Sequence, residues 1–308
     1  MRILVVASFN KGSFAPFVEE QANALKRMGC EVEFFGIQGK GLKGYLTNLP
    51  ALKQRIISFH PDVLHAHYGL SGLLASLQRE VPVVVTYHGT DINDKKIRCF
   101  SRIAMRLSAW SIFVSKKAIE IAKPKDNYSL LSCGIDLSVF QPTNKSEARR
   151  LMQLSESEKY ILFAGAFDNG VKNFELAKQA VDLMQYPDAN LLELKGHCRK
   201  DVALLLCAAD ALLMTSHSEG SPQIIKEAMA CGCPIVSVDV GDVRERVEGV
   251  KGCYVANSRE PKVLAELLRK AVDFEGRTEG RVKIISDGLE NPCVAEKLMV
   301  IYRNVCDR

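Results

Sequence analysis

The chain alternates between short apolar runs and longer amphipathic stretches along its whole length. Arg2–Ser8 is apolar between its ends, as expected of a strand that is buried on both faces. Residues 17–28 repeat apolar positions at helical spacing, and Gly29 ends that pattern. The same alternation predicts further strands at 31–36, 62–65, 81–87, 111–114, 128–131, 160–164, 191–194, 211–215 and 234–238.

The segments between these strands have the periodicity of helices. Strands that alternate with helices form parallel sheets covered on both faces, and the order is repeated in two halves, which predicts two Rossmann-like α/β domains. Residues 140–158, rich in Pro, Asn, Ser and charged side chains, are interpreted as the linker region. The predicted helices are 17–28, Leu49–Phe59, 70–78, 95–109, Lys116–Ala122, 174–184, 201–208, 222–230, 263–272 and 292–305.

Polar and glycine-rich segments follow several of the predicted strands. Open parallel sheets bind ligands at the carboxyl ends of their strands, so these segments are the candidate ligand-binding loops. No Gly-x-Gly-x-x-Gly follows a predicted strand and no Walker loop occurs, so neither a nicotinamide dinucleotide site nor a P-loop site is supported. The segments are 10–13, 65–69, 88–91, 165–172 and 217–222.

The composition is that of a globular protein. Of 308 residues, 47% are apolar and 25% are charged, and the length is typical of two domains. The longest apolar stretch, 203–214, contains an aspartate and is too short to span a bilayer. The first strand lacks the cleavage-site pattern of a signal peptide, so a cytoplasmic protein is expected.

The ten cysteines are scattered through apolar segments and are expected to be reduced. Cys231 and Cys233 lack a second ligand pair at zinc-site spacing, and so does the His-Cys pair at 197–198. No metal site is therefore predicted.

Positive charge is concentrated in the first half of the chain. Residues 1–144 contain 18 Lys and Arg against 11 Asp and Glu, whereas residues 145–308 contain 23 against 25. This excess is interpreted either as a basic face for an anionic membrane surface or a phosphorylated acceptor, or as a solvated helix face. No aromatic residues interleave with these charges as in a nucleic-acid reader, so nucleic acid is not an expected partner. The cations are Lys95, Lys96, Arg98, Arg102, Arg106, Lys116, Lys117, Lys123 and Lys125.

The segment 216–236, SHSEGSPQIIKEAMACGCPIV, combines a strand end, a polar loop and a helix start. Ser221 is predicted to cap the helix and Pro222 to occupy its first position, which leaves free backbone N–H groups suited to a diphosphate. Glu227, inside the helix, is placed to accept hydrogen bonds from a ribose, and Glu219, in the loop, to meet a sugar beyond the phosphates. The alternative interpretation is that both glutamates are exposed and have no role.

The same segment resembles the signature of the family 4 retaining glycosyltransferases, Ser-x-x-Glu-Gly-x-Pro followed by Glu-Ala-x-Ala-x-Gly-x-Pro-Val. The resemblance implies the GT-B fold. It implies an acceptor-side Rossmann-like domain at 1–140, a nucleotide-sugar-binding one at 141–290, and a last helix at 291–308 that crosses back to the first domain. The other matching motifs are DVLHAH at 62–67, HGTD at 88–91, CGID at 133–136, ADA at 209–211 and GDVRE at 241–245.

The resemblance also implies an activity and a set of site residues. It implies a metal-independent, hexosyltransferase-type enzyme without a cofactor, which moves a sugar from a nucleotide diphosphate donor (UDP or GDP) to an acceptor hydroxyl with retention of configuration. His88 is implied to contact the donor sugar near the reacting centre, Glu219 the transferred sugar and Lys172 the diphosphate, and these three are the predicted catalytic residues. The predicted donor-binding residues are Gly12, Lys172, Gly196, Gly220, Ser221, Pro222 and Glu227, with Glu227 at the donor ribose and the backbone near Gly196 at the nucleobase.

The expected partners follow from the same resemblance and from the charge. The acceptor is expected to be a saccharide or a lipid-linked glycan, in surface polysaccharide or glycolipid biosynthesis. The basic first half is expected to give peripheral contact with an anionic membrane at its inner face.

Two positions depart from the family pattern. The family commonly has Gly-Arg where this chain has Gly165 and Ala166, so a phosphate-binding cation is missing from its usual place, and Lys11 or Arg199 are the candidates to replace it. The loop after the first strand has one glycine, Gly12, where the family often has two. Two alternatives therefore stay open: a non-catalytic sugar-nucleotide-binding GT-B protein, or another GT-B enzyme such as a sugar-nucleotide epimerase or an inverting transferase.

Overall fold

A computed structural model describes residues 1–307 as two compact units. Unit 1 comprises Met1–Gly134 and the chain from residue 291 onward, and unit 2 comprises Ile135–Glu290. The elements up to residue 134 are β1 (Arg2–Ser8), α1 (Pro16–Arg27), β2 (Glu31–Ile37), α2 (Gly41–Leu46), α3 (Leu49–Phe59), β3 (Val63–His67), α4 (Gly69–Ser76), β4 (Val83–Tyr87), α5 (Thr90–Asn93), α6 (Lys95–Leu107), β5 (Trp110–Phe113), α7 (Lys116–Ala122) and β6 (Tyr128–Leu130). The later elements are α8 (Lys145–Leu151), β7 (Lys159–Phe163), a 3₁₀ turn (Gly170–Lys172), α9 (Phe174–Leu183), β8 (Ala189–Leu192), α10 (Arg199–Ala208), β9 (Ala211–Met214), α11 (Gln223–Cys231), β10 (Ile235–Val238), α12 (Val243–Val247), β11 (Cys253–Ala256), α13 (Pro261–Val272), α14 (Gly280–Ser286) and α15 (Asn291–Cys306).

Unit 1 is a parallel sheet in the order β2-β1-β3-β4-β5-β6, with an apolar core on each face. Along β1, Ile3 and Val5 pack into the core shared with α1 and α15, whereas Leu4 and Val6 pack into the core shared with α3 and α4. Burial on both faces explains why this strand is a continuous apolar run. The last helix, α15, packs against α1 within this unit.

Unit 2 is a second parallel sheet, in the order β11-β10-β9-β7-β8. Its central strand β9 is completely buried, and α11 is buried from Ile225 to Cys231 although it carries Lys226 and Glu227. Two parallel sheets covered by helices confirm the predicted α/β fold class, and the carboxyl ends of their strands position the loops described below.

The segment interpreted as a linker, 140–158, lies inside unit 2 and contains α8. Phe140 is fully buried in the unit 2 core, and Arg149 of α8 is 3% exposed, with Nη2 2.9 Å from Asp210 Oδ2. The division between the units falls directly before Ile135, which is also buried in that core. The linker interpretation is wrong because Phe140 and Ala148 belong to the unit 2 core and the charge of Arg149 is neutralised by a buried aspartate 61 residues further along the chain.

Candidate active site

In unit 2, the loop between β9 and α11 is held against the 3₁₀ turn that ends at Lys172. The hydroxyl of Thr215 lies 2.9 Å from the main-chain oxygens of both Lys172 and Asn173 and donates to this turn. The main-chain N–H of His217 donates to the carbonyl oxygen of Val171 at 2.9 Å. These bonds fix Lys172 beside a loop that follows it by more than forty residues.

Lys172 and Glu219, predicted at the phosphate and at the sugar, form an ion pair. Lys172 Nζ lies 2.8 Å from Glu219 Oε1, and the two side chains are 21% and 16% exposed, so water reaches them only in part. Gly165 lies beneath the lysine: a Cβ atom there would stand 2.6 Å from Lys172 Cγ, so the lysine can follow this path only over a glycine. The structure thus brings two separately predicted residues into one cluster.

Glu227 is buried, and Arg199 at the start of α10 supplies its counter-charge. Arg199 Nη1 lies 2.7 Å from Glu227 Oε1, and the guanidinium carbon lies 4.5 Å from the centre of the Phe140 ring. Burial raises the pKa of the Glu227 carboxyl, and the Arg199 charge opposes that rise. The interpretation that both signature glutamates are exposed is wrong, because Glu227 is 2% exposed and Glu219 is half-buried.

Ser221 does not cap α11, which corrects the sequence prediction. The helix begins at Gln223, and its N-cap position is Pro222, whose side chain makes no capping hydrogen bond. The Ser221 hydroxyl donates instead to Asp242 Oδ2 at 2.8 Å, and the same carboxylate oxygen accepts from Arg246 Nε at 2.8 Å. The loop between β10 and α12 therefore anchors the signature loop. Asp242 lies in the GDVRE motif at 241–245, but that motif gave no sign of this contact.

Arg259, which sequence reasoning missed, supports the start of the same loop. Its guanidinium donates to the main-chain oxygens of Thr215 and Ser216 at 3.2 and 2.8 Å. Nothing in the sequence singles out this residue, because its partners are carbonyl groups more than forty positions away. The loop is consequently held by the turn that precedes α9 and by the segment that precedes α13.

The remaining donor-binding candidates are glycines and a proline, of which two are exposed and two are buried. Gly196 is exposed in the turn between β8 and α10, whereas Gly220 and Pro222 are buried in the signature loop. Gly12 is exposed in unit 1, in the loop after β1. Asp168, two residues after Ala166, pairs with Lys195 at the surface. Lys195 is therefore not an unpaired cation that could replace the arginine missing at Ala166.

In unit 1, His88 follows β4 and belongs to a cluster of aromatic and imidazole rings. Its Nε2 lies 3.0 Å from His67 Nδ1, and its ring centre lies 4.8 and 4.5 Å from those of Phe17 and Tyr68. The other nitrogen, Nδ1, lies 3.9 Å from Cys133 Sγ. Contacts with two aromatic rings and with His67 restrain the orientation of the His88 ring.

A buried chain of polar contacts runs from α15 to β3. Tyr302 OH lies 2.6 Å from His65 Nδ1, and His65 Nε2 lies 2.8 Å from Thr86 Oγ1, while the ring of His65 lies 4.5 Å from that of His67. Burial lowers the pKa of His67 to about 3, and it lowers the pKa of His65 well below its ordinary value, so both rings are neutral near pH 7. Tyr302 was not identified from the sequence, since its partner lies 237 residues earlier.

Asp91, the last residue of HGTD, holds the backbone around His88. Its carboxylate accepts hydrogen bonds from the N–H groups of His88, Gly89 and Gly69 at 3.1, 2.9 and 3.0 Å. Burial raises the pKa of this carboxyl to about 6, and the backbone hydrogen bonds oppose the rise. The loops after β3 and β4 are thereby tied together.

We expect His67→Gln to make unit 1 less sensitive to acid. The folded-state pKa of His67 lies below the value of 6.5 in an unfolded chain, so its contribution to stability is present above pH 6.5 and is lost as the pH falls. From pH 6.5 to 5.0 this loss amounts to roughly 1.5 kcal/mol, and glutamine removes it. Urea unfolding at both pH values measures the difference, and Asp91, whose raised pKa acts in the opposite direction, is common to both proteins. Identical pH slopes would contradict the expectation.

Residues 1–307 show neither a candidate membrane span nor a candidate metal-ligand cluster. No helix in this range has both the length and the apolar character needed to cross a bilayer. Within the same range, no three His, Cys, Asp or Glu side chains are grouped so that they would hold a metal ion.

Comparison with known families matches both halves of the chain. The model of Glycosyltransferase Family 4 matches residues 15–139, and the model of Glycosyl transferases group 1 matches residues 184–273. TuaC of Bacillus subtilis (strain 168), assigned as a teichuronic acid biosynthesis glycosyltransferase, is 30% identical over 224 residues, which are 63% of this chain and 57% of TuaC. The chain spans 57, 63 and 59% of the lengths of TuaC and two further curated relatives.

Solved structures share the fold at low sequence identity. Sucrose-phosphate synthase from Thermosynechococcus elongatus matches with a TM-score of 0.83 and 16% identity, over 99% of both chains. Anabaena HepE, solved in complex with UDP, matches with a TM-score of 0.76 and 16% identity, over 99% of this chain and 100% of HepE. Since the two family models match in order along the chain and the structural likeness covers almost all of it, the chain belongs to the family 4 glycosyltransferases of the GT-B fold.

Proposed function

We propose that the protein transfers a sugar from a nucleotide diphosphate donor to an acceptor hydroxyl with retention of anomeric configuration. One observation carries the proposal: within unit 2, Lys172 pairs with Glu219 of the loop between β9 and α11, and Arg199 pairs with Glu227 of α11, at 2.8 and 2.7 Å. Each pair combines a cation suited to a phosphate with a carboxylate suited to sugar hydroxyls. Phosphates and sugar hydroxyls are the groups that a nucleotide-sugar presents.

Lys172 stabilises the leaving diphosphate in this mechanism. Its partly buried charge has more effect on developing negative charge than an exposed lysine would have, because water screens it less. Before the donor binds, Glu219 holds the ammonium group in place; on binding, a phosphate oxygen shares that group and Glu219 accepts a hydrogen bond from a sugar hydroxyl. The acceptor hydroxyl attacks the anomeric carbon on the leaving group's face while the bond from that carbon to the diphosphate oxygen breaks, and the hydroxyl proton passes to a phosphate oxygen of the departing nucleoside diphosphate.

In this proposal Arg199 replaces the arginine that the family commonly has at the position of Ala166. It is anchored by Glu227 and by the Phe140 ring, so its position is set before the donor binds. A guanidinium presents its N–H donors in a planar fork that suits phosphate oxygens as well as a carboxylate. Lys11, the other candidate, lies in unit 1 and is exposed.

His88 contacts the donor sugar in this proposal. One of its ring nitrogens faces His67 at 3.0 Å and the other faces Cys133 at 3.9 Å. The thiol contact is the weaker of the two, so a sugar hydroxyl would replace the thiol at Nδ1. His67 then acts as a positioning residue, which holds the ring orientation through Nε2.

No metal ion is required by this arrangement. In this proposal Lys172 and Arg199 neutralise the charge of the nucleotide diphosphate, which is the work that metal ions do in other transferases. We expect the rate of transfer to be unchanged by EDTA. A rate that falls on chelation and returns with a divalent cation would overturn this part of the proposal.

The acceptor is proposed to be a saccharide or a lipid-linked glycan of a surface polysaccharide. The likeness to TuaC, assigned to teichuronic acid biosynthesis, supports the polysaccharide, and the basic residues of α6 support contact with an anionic membrane. Arg98 does not take part in that contact, because its guanidinium donates to the main-chain oxygens of Ile92 and Asn93. Co-sedimentation with phosphatidylglycerol vesicles but not with phosphatidylcholine vesicles is expected, and equal sedimentation with both would remove the charge-based support for contact with an anionic membrane.

Product analysis tests the proposal against its alternatives. Donors with UDP and GDP are first screened by thermal shift, because a ligand at about 100 times its Kd adds roughly 2.7 kcal/mol of stability. The active donor is then incubated with a saccharide acceptor, and the anomeric configuration of the product is read by NMR. Retention supports the proposal, and inversion would assign an inverting transferase. Isomerisation of the donor sugar would assign an epimerase, and binding without turnover would assign the non-catalytic alternative that Ala166 raises.

A further inference from the structure

A cavity of about 390 Å³ opens in unit 1 between the end of α6 and the loop that leads into β6. Its walls include Arg102 and Arg106 from α6, and Lys123 and Lys125 from the loop. Ser111, at the start of β5, lies at its base. We call this feature the basic cavity.

The basic cavity and His88 lie at opposite ends of the strands of this sheet. Ser111 and the loop at 123–127 stand at the amino ends of β5 and β6, whereas His88 follows the carboxyl end of β4. The strands of this sheet are parallel, and the length of β5 separates their amino ends from their carboxyl ends by roughly 13 Å. The basic cavity is therefore not part of the candidate active site.

Four positive charges surround the basic cavity against a single carboxylate, that of Asp126. Across residues 1–307, none of the side chains of Arg102, Arg106, Lys123 and Lys125 makes an ion pair or a hydrogen bond. Other basic residues of the chain do have partners, such as Arg98, which bonds to main-chain oxygens. Repulsion among like charges that line one cavity is unfavourable unless an anion is shared between them.

The negative end of the α6 dipole accounts for only part of this cluster. Arg106 lies in the last turn of α6, where a cation is favourable, but Lys123 and Lys125 come from a different segment of the chain. The cavity also has apolar surface from Met105 and Ala122, and hydroxyl groups from Ser108 and Ser111. Its volume lies in the range of small-molecule sites, which is larger than a bare phosphate needs.

We propose that the basic cavity binds a phosphate-bearing group, at a site separate from the nucleotide-sugar donor. The two arginines would hold the phosphate oxygens through paired N–H donors, and the lysines would neutralise the remaining charge. Two sources present this chemistry: the headgroup of an anionic phospholipid, and a soluble phosphate compound. The proposal does not depend on sugar transfer, because no residue of the two ion-paired clusters takes part in it.

The test uses the full chain and a matched pair of variants on the same helix. Arg102→Gln/Arg106→Gln removes two charges from the cavity, and Lys95→Gln/Lys96→Gln removes two charges from the first turn of α6, outside it. All four side chains are exposed, so both variants should fold, and thermal melting without ligand checks this. The readout is acetylation of Lys123 and Lys125, measured by mass spectrometry with inorganic pyrophosphate or with phosphatidylglycerol vesicles.

We expect pyrophosphate to slow acetylation of Lys123 and Lys125 at least fivefold in the wild-type and Lys95→Gln/Lys96→Gln proteins, and less than twofold in Arg102→Gln/Arg106→Gln. Lysines outside the cavity, such as Lys53, serve as internal references. The same pattern with vesicles alone supports the proposal and assigns the phosphate to a lipid headgroup. No protection by either probe, or equal loss of protection in the two variants, would overturn it and leave a general basic surface. Lys125→Gln, read at Lys123, provides a second variant should the arginine pair be needed for folding.

Discussion

Lys172→Ala is expected to lower kcat for sugar transfer about 10²–10³-fold, since the leaving diphosphate loses a preorganised cation. The effect should fall on kcat more than on KM, because negative charge on the leaving group grows towards the transition state. Initial rates at saturating donor and acceptor measure it. Lys195→Ala is the matched control: Lys195 also pairs with a carboxylate on a neighbouring loop, but both side chains are more than half exposed, and less than a twofold change is expected.

A second explanation of a slow Lys172→Ala enzyme is repulsion between the donor phosphates and Glu219, whose partner has been removed. Lys172→Ala/Glu219→Gln separates the two causes, because glutamine carries no charge. If the lysine acts on the leaving group, the double variant stays at least as slow as Lys172→Ala. Recovery of most of the wild-type rate would assign the loss to the unpaired carboxylate. Wild-type rates in all three variants would show that Lys172 has no part in the transfer.

The sequence predicts the elements whose burial is two-sided or strongly periodic. β1 is observed at the predicted residues, Arg2–Ser8, and α3 is observed at Leu49–Phe59, because their apolar patterns fit one structure only. The elements that it misses have weak patterns. Helix α8 is charged, and its burial depends on the distant Asp210, while β11 has three half-buried residues out of four.

In the candidate site, the sequence identifies residues but not their partners. Lys172 and Glu219 lie 47 residues apart, and Arg199 and Glu227 lie 28 apart, so only the fold sets these contacts. The Ser221 cap is wrong because the helix begins one residue later than the local pattern predicts, so Pro222 occupies the N-cap position and the Ser221 hydroxyl donates to Asp242. Arg259 and Tyr302 carry no local signal, because one binds carbonyl groups and the other binds a histidine from another element.

Arg199→Ala is expected to lower the free energy of unfolding by about 2–3 kcal/mol at pH 7.5, because it leaves Glu227 buried without its counter-charge. The lower end of the range for a broken buried pair applies, since the arginine side chain is 30% exposed and water reaches one side of the pair. Arg244→Ala is the control: it removes an arginine that bonds Asp239 at the same 2.7 Å, but both side chains are about half exposed. A change below about 0.5 kcal/mol is expected there.

The pH dependence identifies the cause of that loss. Burial already raises the pKa of Glu227, and removing Arg199 raises it further, above the ordinary value of 4.5. A carboxyl whose folded-state pKa is raised makes the protein less stable as the pH rises through 4.5, so the deficit of Arg199→Ala should be small at pH 4.5 and full at pH 7.5. Urea unfolding at these two pH values measures it. A deficit that is the same at both would instead assign the loss to the contact between Arg199 and the Phe140 ring.

Donor affinity then tests whether Arg199 also replaces the arginine missing at Ala166. Arg199→Ala/Glu227→Gln removes the buried charge together with its partner, so stability should return to within about 1 kcal/mol of the wild type. Binding of the nucleoside diphosphate should not recover, because the phosphate still lacks its guanidinium: about a tenfold or larger rise in Kd is expected, the loss of one charge-assisted contact. Arg199→Lys keeps the charge but not the paired N–H donors, so its Kd for the nucleoside diphosphate should lie between those of the wild type and the double variant. If nucleotide affinity returns with stability in the double variant, Arg199 only neutralises Glu227 and the second phosphate cation must lie elsewhere.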